Sequence, residues 1–268
     1  MSAPARVGSL WHRYVRSYAP AALIFILFLV LWELAVIVFQ IKGFLLPRPS
    51  AIWEAYLDNR TVVWNAGYVT LQEALGGLIL GSLLGTGMAL ATARWTTVRE
   101  GLLPFAVAIN SAPIIALAPI FNAWFGASNP LSKMAVVTVM VFFPVMINMV
   151  RGLAAVASQE LELLRSYAAG PREILRKLRI PNSLPYLFSA LKVVVVLAMI
   201  GAIVAEYFGG AVQTLGVFIS QQAANTRFAQ AWSGIIVGSL MGIGLYLLVV
   251  LVERRVMPWH VSLRGPGP

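Results

Sequence analysis

The chain has 268 residues, of which 59% are hydrophobic and 11% charged, and its mean hydropathy is +0.81. This composition excludes an ordinary soluble domain, in which about 25% of residues are charged. The net charge of +10 does not indicate nucleic-acid binding, because the basic residues gather in loops beside long apolar runs. The sequence contains no cysteine, which excludes disulfide and thiolate chemistry.

Apolar runs of about 20 residues, the length that crosses a bilayer as a helix, recur along the chain. They are too long for barrel strands and do not alternate, so the predicted fold is all-α and polytopic, with about six transmembrane helices. We interpret residues 1–268 as a single transmembrane domain and expect the first run to be retained. The runs lie at 20–39, 68–92, 102–124, 134–150, 186–207 and 232–252.

The segment between the first and second runs predicts a short interfacial helix at 51–58, with Ser50 as its N-cap. Glycines recur along the second run, which predicts close packing of that helix against a neighbour. These glycines are Gly76, Gly77, Gly81, Gly85 and Gly87.

The distribution of basic residues predicts the orientation in the membrane. An even number of spans puts both termini on one side, and 14 of the 20 lysines and arginines fall on that side against five on the other. The positive-inside rule therefore predicts that both termini and the loop at 160–185 are cytoplasmic. The expected location is a bacterial inner membrane.

The third run is the candidate lining of a solute path. Pro113 and Pro119 in this run, and Pro144 in the next, are expected to interrupt helices and free backbone carbonyls. A structural kink between packed helices is the alternative interpretation. The candidate path residues are Asn110, Ser111, Pro113, Pro119, Asn122, Asn148, Met149 and Glu206.

Ionisable residues inside apolar runs are costly and often functional. Glu206 is either a functional group or an interfacial packing contact, and Glu73 is expected near the outer headgroups. Glu33 is expected to serve helix packing. Lys192 is expected to extend its ammonium group to the cytoplasmic interface.

A basic amphipathic segment separates the fourth and fifth runs. Gly170 is predicted to cap a short helix that has Pro171 at its first position and Glu173 in its first turn. Pro181 and Pro185 are predicted to end this helix. Its apolar face, expected to be buried against a soluble partner, consists of Ile174, Leu175 and Leu178.

This segment resembles the EAA loop of permease subunits in binding-protein-dependent ABC importers, whose pattern is roughly E-A-A-x-x-x-G-x(9)-I-x-L-P. The matching positions are, in order, Glu162, Leu163, Leu164, Ala168, Leu178, Ile180 and Pro181. Ala168 stands where the pattern has glycine, and Gly170 is a candidate to supply the turn instead. The resemblance assigns coupling to an ATPase to Glu162, Ala168, Gly170, Pro171, Arg172, Ile174, Leu175, Leu178 and Pro181.

Most of the chain resembles the nitrate/sulfonate/taurine class of these permeases. The similar stretches are Leu-Pro-Arg-Pro-Ser at 46–50, Thr-Leu-Gln-Glu-Ala-Leu-Gly-Gly at 70–77, Ser-Ala-Pro-Ile-Ile-Ala-Leu-Ala-Pro at 111–119, Trp-Phe-Gly at 124–126, Val-Ala-Glu-Tyr at 204–207, Leu-Gly at 215–216 and Glu-Arg-Arg at 253–255. Residues 128–133 and 142–148 are similar to members that import thiamine-pyrimidine or riboflavin-type heterocycles. The resemblance leaves nitrate, sulfonate, taurine and such heterocycles open as the solute.

The resemblance implies a type I ABC importer permease fold and a non-enzymatic transport subunit that forms the translocation path. It implies a second permease copy, cytoplasmic ATPase subunits and an extracytoplasmic solute-binding protein as partners within the lipid bilayer. No cofactor is expected on this chain, and ATP and magnesium are expected on the ATPase. Closure of the ATPase dimer would switch the permease between inward- and outward-open states.

Two alternatives are a secondary transporter driven by an ion gradient and a membrane scaffold without transport. A secondary transporter needs buried acids arranged as an ion site, and the sequence offers Glu33, Glu73 and Glu206, which we expect to be scattered. A membrane enzyme is disfavoured because no phosphate-binding loop is present and His12 and His260 lie at opposite ends of the chain.

Overall fold

The computed structural model describes residues 7–92, 101, 104, 106, 108 and 113–258. The labelled helices are α1 (Val7–Val38), α2 (Pro49–Thr92), α3 (Ala118–Phe125), α4 (Pro130–Ala154), α5 (Ser158–Ser166), α6 (Pro171–Ile174), α7 (Ile180–Tyr207), α8 (Leu215–Ala224) and α9 (Phe228–Val256). A 3-10 turn, Ile114–Leu117, precedes α3, and a π turn, Leu175–Arg179, joins α6 to α7.

The prediction of an all-α polytopic membrane protein is confirmed. Within the described ranges, five helical segments are long and apolar enough to cross a membrane: Ala19–Val38, Pro49–Thr92, Pro130–Ala154, Pro171–Tyr207 and Phe228–Val256. The third predicted span, 102–124, lies largely outside the described residues. Its described end is the shorter apolar segment Ile114–Phe125.

The separate helix predicted at 51–58 is wrong, because α2 runs without a break for 44 residues. At 1.5 Å per residue such a helix is about 66 Å long, roughly twice the hydrocarbon thickness. The Ser50 hydroxyl and amide donate hydrogen bonds of 2.7 and 3.1 Å to the two carboxylate oxygens of Glu33. Glu33 therefore holds α1 to the start of α2, which confirms its packing role.

Prolines do not end the helices in which they lie. Pro144 lies inside α4, Pro185 lies inside α7, and Pro181 occupies the first turn of α7. The predictions that Pro144 interrupts its helix and that Pro181 and Pro185 end theirs are wrong. Each proline removes a backbone donor, but α4 and α7 pack against each other and against α2, and such packing keeps the flanking turns helical.

The centre of the fold is α4, which lies between α2 and α7. The contact with α2 is close because four glycines, Gly76, Gly77, Gly81 and Gly85, face α4. A Cβ at Gly77 would lie 2.4 Å from the Val137 Cβ, and one at Gly81 would lie 2.6 Å from the Thr138 carbonyl oxygen. The predicted role of the glycine series is confirmed there. It is wrong for Gly87, which has no atom within 4 Å of an added Cβ.

The short helix α8 was not predicted from the sequence. Its first residues, Leu215 and Gly216, are buried, together with Phe218 and Ile219. These side chains pack it against α2, α7 and α9 at the end of the molecule opposite to α5 and α6.

Candidate coupling and transport site

The turn between α5 and α6 is built around Ala168. This residue has a φ of +57°, in the left-handed region that favours glycine. The Ala168 amide donates to the Arg165 carbonyl at 2.9 Å, and the Ala169 amide donates to the Leu164 carbonyl at 3.0 Å. These bonds satisfy carbonyls at the end of α5 as in a Schellman-type cap. The conformation explains why the EAA pattern has glycine at this position.

Gly170 does not replace that glycine. Its backbone is extended, with φ −74° and ψ 166°, and it is the N-cap of α6 as predicted. Pro171 at the start of α6 and Glu173 in the first turn also agree with the prediction. Glu173 forms an exposed i,i+4 ion pair with Lys177 at 2.5 Å.

The apolar face predicted to bind a partner is turned toward the chain itself. Ile174 is 9% exposed, Leu175 packs against the cluster that contains Met149 and Leu153, and Leu178 is half-buried. The reason is that α6, the π turn and α7 form one continuous helical segment packed on α4. The expectation that this whole face is free for a partner is therefore wrong.

The exposed apolar surface at this end lies on α5 instead. Leu163 of α5 and Tyr167, the C-cap residue of α5, are 58% and 75% exposed, and their i,i+4 spacing places them on the same side of this end of the helix. We name them the coupling pair. Glu162 beside them, and Arg172 on α6, are also exposed.

The residues predicted for the path do not form one lining. Asn110 and Ser111 lie outside the described residues. Pro113 immediately precedes the 3-10 turn, Pro119 lies in the first turn of α3, and both are exposed. Met149 is 2% exposed within the core of this chain, so the prediction that it faces the path is wrong.

Asn148 is half-buried one residue before Met149 on α4. Its side-chain amide donates to the Pro144 carbonyl at 2.8 Å, one turn earlier on the same helix. The amide therefore makes a bond within α4, and a role for Asn148 in the path stays a prediction.

Asn122 and Glu206 belong to a buried polar cluster. The Asn122 amide donates to the Phe208 carbonyl at 3.1 Å, and its oxygen accepts from Lys133 at 3.3 Å. The exposed fractions of Lys133, Glu73 and Glu206 are 1%, 2% and 1%. We name Glu73, Lys133 and Glu206 the buried triad.

Two members of the buried triad correct the sequence interpretation. Glu73 and Glu206, which we expected to be scattered, lie together where α2 packs on α7. Glu73 is buried within the protein, and its depth near the outer headgroups stays a prediction. Residues 133 apart in sequence have no common periodicity, so no local pattern could have paired them.

Lys192 has a charged partner that the sequence did not indicate. Its ammonium group forms a 3.0 Å ion pair with Glu253 of α9, whose side chain is 6% exposed. The lysine thus fastens α7 to α9, and its extension to the cytoplasmic interface stays a prediction. The Glu-Arg-Arg stretch at 253–255 belongs to the family resemblance, but the sequence does not indicate that Glu253 pairs with Lys192.

An apolar groove of about 420 Å³ runs between α7 and α9. Gly238 and Gly242 line it where α9 carries no side chain, and Tyr207 and Tyr246 are among its lining residues. Sequence reasoning missed it, because Gly238 and Gly242 indicate close packing of helices rather than a groove between them.

A family model described as the binding-protein-dependent transport system inner membrane component matches residues 71–258. The chain belongs to this family. The match spans the buried triad, the coupling pair and the groove. The protein is therefore the membrane-spanning translocation subunit of an ABC importer and a multi-pass inner-membrane protein.

Three relatives align with nearly the whole of this chain. The formylaminopyrimidine transport permease protein ThiX of Halalkalibacterium halodurans is 32% identical over 89% of this chain and 94% of its own. The riboflavin transport system permease protein RibX of Chloroflexus aurantiacus is 30% identical over 88% of each chain. The taurine transport system permease protein TauC of Escherichia coli is 23% identical over 88% of this chain and 87% of its own.

A solved structure supports the fold. The crystal structure of an amino acid ABC transporter with histidines matches with a TM-score of 0.59 over 74% of this chain and 96% of that one, at 18% identity. The type I importer fold implied by the resemblance is thus confirmed. Membership of this importer family also disfavours the ion-gradient alternative, although two buried acids do meet.

Proposed function

We propose that the importer subunit docks a cytoplasmic ATPase through the coupling pair, Leu163 and Tyr167. The observation that carries this proposal is their exposure at the tip of a short helix that projects from the membrane-spanning helices. Two large apolar side chains facing solvent at i,i+4 spacing are typical of a helix that seats in a groove on a partner. The partner chain would bind ATP and magnesium and hydrolyse ATP.

Charged groups around the pair support the same role. Glu162, Arg172 and Arg176 are exposed beside or beyond it and are available to pair with charged groups on the ATPase. The rest of the proposed coupling segment positions this surface. Ala168 makes the turn, Gly170 and Pro171 start α6, and Leu175 packs on α4 between the buried Ile174 and the partly buried Leu178, ahead of Pro181 in α7. Movement of the ATPase would then reach the spans through a rigid connection.

The positive-inside distribution supports an orientation with both termini and the coupling pair in the cytoplasm. The opposite end, with α3 and α8, would then face an extracytoplasmic solute-binding protein. A second copy of this chain would complete the permease. Native mass spectrometry of the purified complex tests this composition, and one permease copy per complex contradicts it.

The experiment for docking compares Leu163→Asp and Tyr167→Asp with Val212→Asp, which alters an equally exposed side chain beyond the far end of α7. Tagged variants are purified from their native membrane, and the associated chains and ATPase activity are measured. We expect the coupling-pair variants to lose the ATPase while the control retains it. Retention by all three contradicts the docking site.

We infer that the solute is a small nitrogen heterocycle. The support is that the relatives named for formylaminopyrimidine and riboflavin transport are 32% and 30% identical to this chain, whereas the one named for taurine is 23% identical. The apolar groove between α7 and α9, with its tyrosines, has the chemistry to accommodate an aromatic ring. Pro113 and Pro119 would line the remainder of the path.

Uptake by the reconstituted importer tests the solute class. Labelled formylaminopyrimidine and riboflavin are compared with taurine as the control solute. We expect ATP-dependent uptake of a heterocycle and none of taurine. Uptake of taurine alone contradicts the inference and leaves the docking proposal untouched.

A further inference from the structure

The buried triad lies where α8 begins, and this helix is capped by side chains of other helices. The Leu215 amide donates to the Thr70 hydroxyl of α2 at 2.9 Å, and the Gly216 amide donates to Oε2 of Glu206 on α7 at 2.5 Å. Thr214, in the N-cap position, makes no side-chain capping bond. Two of the free amides at the start of α8 thus depend on α2 and α7.

These contacts favour a negative charge on Glu206. A carboxylate that accepts a backbone amide at a helix N-terminus is stabilised by the hydrogen bond and by the positive end of the helix dipole. Gly216 also approaches closely: an added Cβ would lie 2.7 Å from Oε2 of Glu206 and 2.2 Å from the Ile203 carbonyl oxygen. The amide is therefore held directly against the carboxyl group.

Glu73 meets this carboxylate in a site without solvent. Both side chains are at least 98% buried, and one oxygen of each, Oε2 of Glu73 and Oε1 of Glu206, has no donor among the described residues. Two carboxylates in contact and out of water repel strongly and do not both remain charged. A proton held between them removes the repulsion and supplies a missing donor.

Lys133 supplies the balancing charge. Its ammonium group donates to Ser132 at 3.0 Å, to Asn122 at 3.3 Å and to the Ala127 carbonyl, so its donors are used. All three partners are neutral oxygens, so its charge is left to balance a carboxylate of the triad. One ammonium and one carboxylate leave no net charge in the buried site if the second carboxyl group is neutral.

We propose that Glu73 and Glu206 form a proton-binding site that holds one proton, with Glu73 as the neutral acid donating to the Glu206 carboxylate and Lys133 as the counterion. The neutral site fastens α8 to α2 and α7. Tyr207, which follows Glu206 on α7, is a further titratable group next to this site. Within their described bounds, α3 and α8 contain no titratable residue.

Infrared spectroscopy of the purified full chain at neutral pH detects a protonated carboxyl group directly. We expect its C=O stretching band in the wild type and in Glu54→Gln, a matched control on the exposed face of α2. We expect Glu73→Gln to lose the band, because its amide replaces the neutral acid as donor. Lys133→Met should strengthen the band, because neutrality then requires a second proton.

Thermal unfolding of the same samples separates the two acids. Glu73→Gln should unfold near the wild-type midpoint, whereas Glu206→Gln should shift it downward because α8 loses its charged cap. A wild type without the band overturns the proposal, as does a Glu73→Gln variant that keeps the band. Failure of Glu73→Gln to fold also overturns it. If Glu73 is a neutral acid, the neutral glutamine amide replaces it without a change of charge, and the variant should fold.

Discussion

The packing of α2 on α4 predicts opposite effects for two glycines of the same helix. At Gly81 an added Cβ would lie 2.6 Å from the Thr138 carbonyl oxygen and 2.8 Å from the Val141 Cβ, so the helices must separate to accept it. Alanine gains about 1 kcal/mol of helix propensity over glycine, but overpacking costs about 1–3 kcal/mol. Gly81→Ala is therefore expected to destabilise the protein by up to about 2 kcal/mol.

Gly87→Ala is the matched control, because no atom lies within 4 Å of its added Cβ. It is expected to keep the propensity gain of up to about 1 kcal/mol. Thermal unfolding of both variants in detergent should place Gly81→Ala below Gly87→Ala by about 2–12 °C, at about 2–4 °C per kcal/mol. An equal or higher midpoint for Gly81→Ala would refute the argument that glycine sets the α2–α4 distance.

Three further substitutions test other contacts. Ala168→Gly should raise the unfolding midpoint slightly. The substitution relieves about 1–2 kcal/mol of left-handed backbone strain, which exceeds the cost of about 0.4–1 kcal/mol from the greater conformational entropy of glycine in the unfolded chain. A lower midpoint contradicts this. Lys192→Met should cost about 1–3 kcal/mol by leaving Glu253 buried and unpaired, and Glu253→Met added to it should recover most of the loss in the same assay. The side-chain amide of Asn182 caps the end of α4 by donating hydrogen bonds of 2.8 and 3.2 Å to the Ala155 and Gly152 carbonyls. Asn182→Ala removes these bonds and should speed hydrogen exchange at the end of α4, and unchanged exchange there contradicts the capping role.

Local chemistry predicted the features that depend on neighbouring residues. Runs of apolar residues gave the spans, because each residue of a bilayer-length helix must tolerate lipid or another helix. Gly170, Pro171 and Glu173 gave the start of α6, because capping involves residues within one turn. The ordered stretches of family resemblance gave the importer class.

The predictions from local sequence were wrong where prolines lie among packed helices. Pro144, Pro181 and Pro185 end helices in water, where nothing compensates the missing donor. Here the neighbouring helices hold the chain helical through each of them, so α6 and α7 form one continuous segment. That continuity turned Ile174 inward and left Leu163 and Tyr167 as the exposed pair.

The sequence by itself thus determined the class of protein, the approximate spans and the segment that projects from them. The tertiary structure alone decided which side chains meet: Glu33 with Ser50, Lys192 with Glu253, and Glu73 with Glu206. A buried charge is costly until it finds a partner, and that partner can lie anywhere along the chain. Hydropathy records that cost at each position, but the pairing depends on how the helices are arranged.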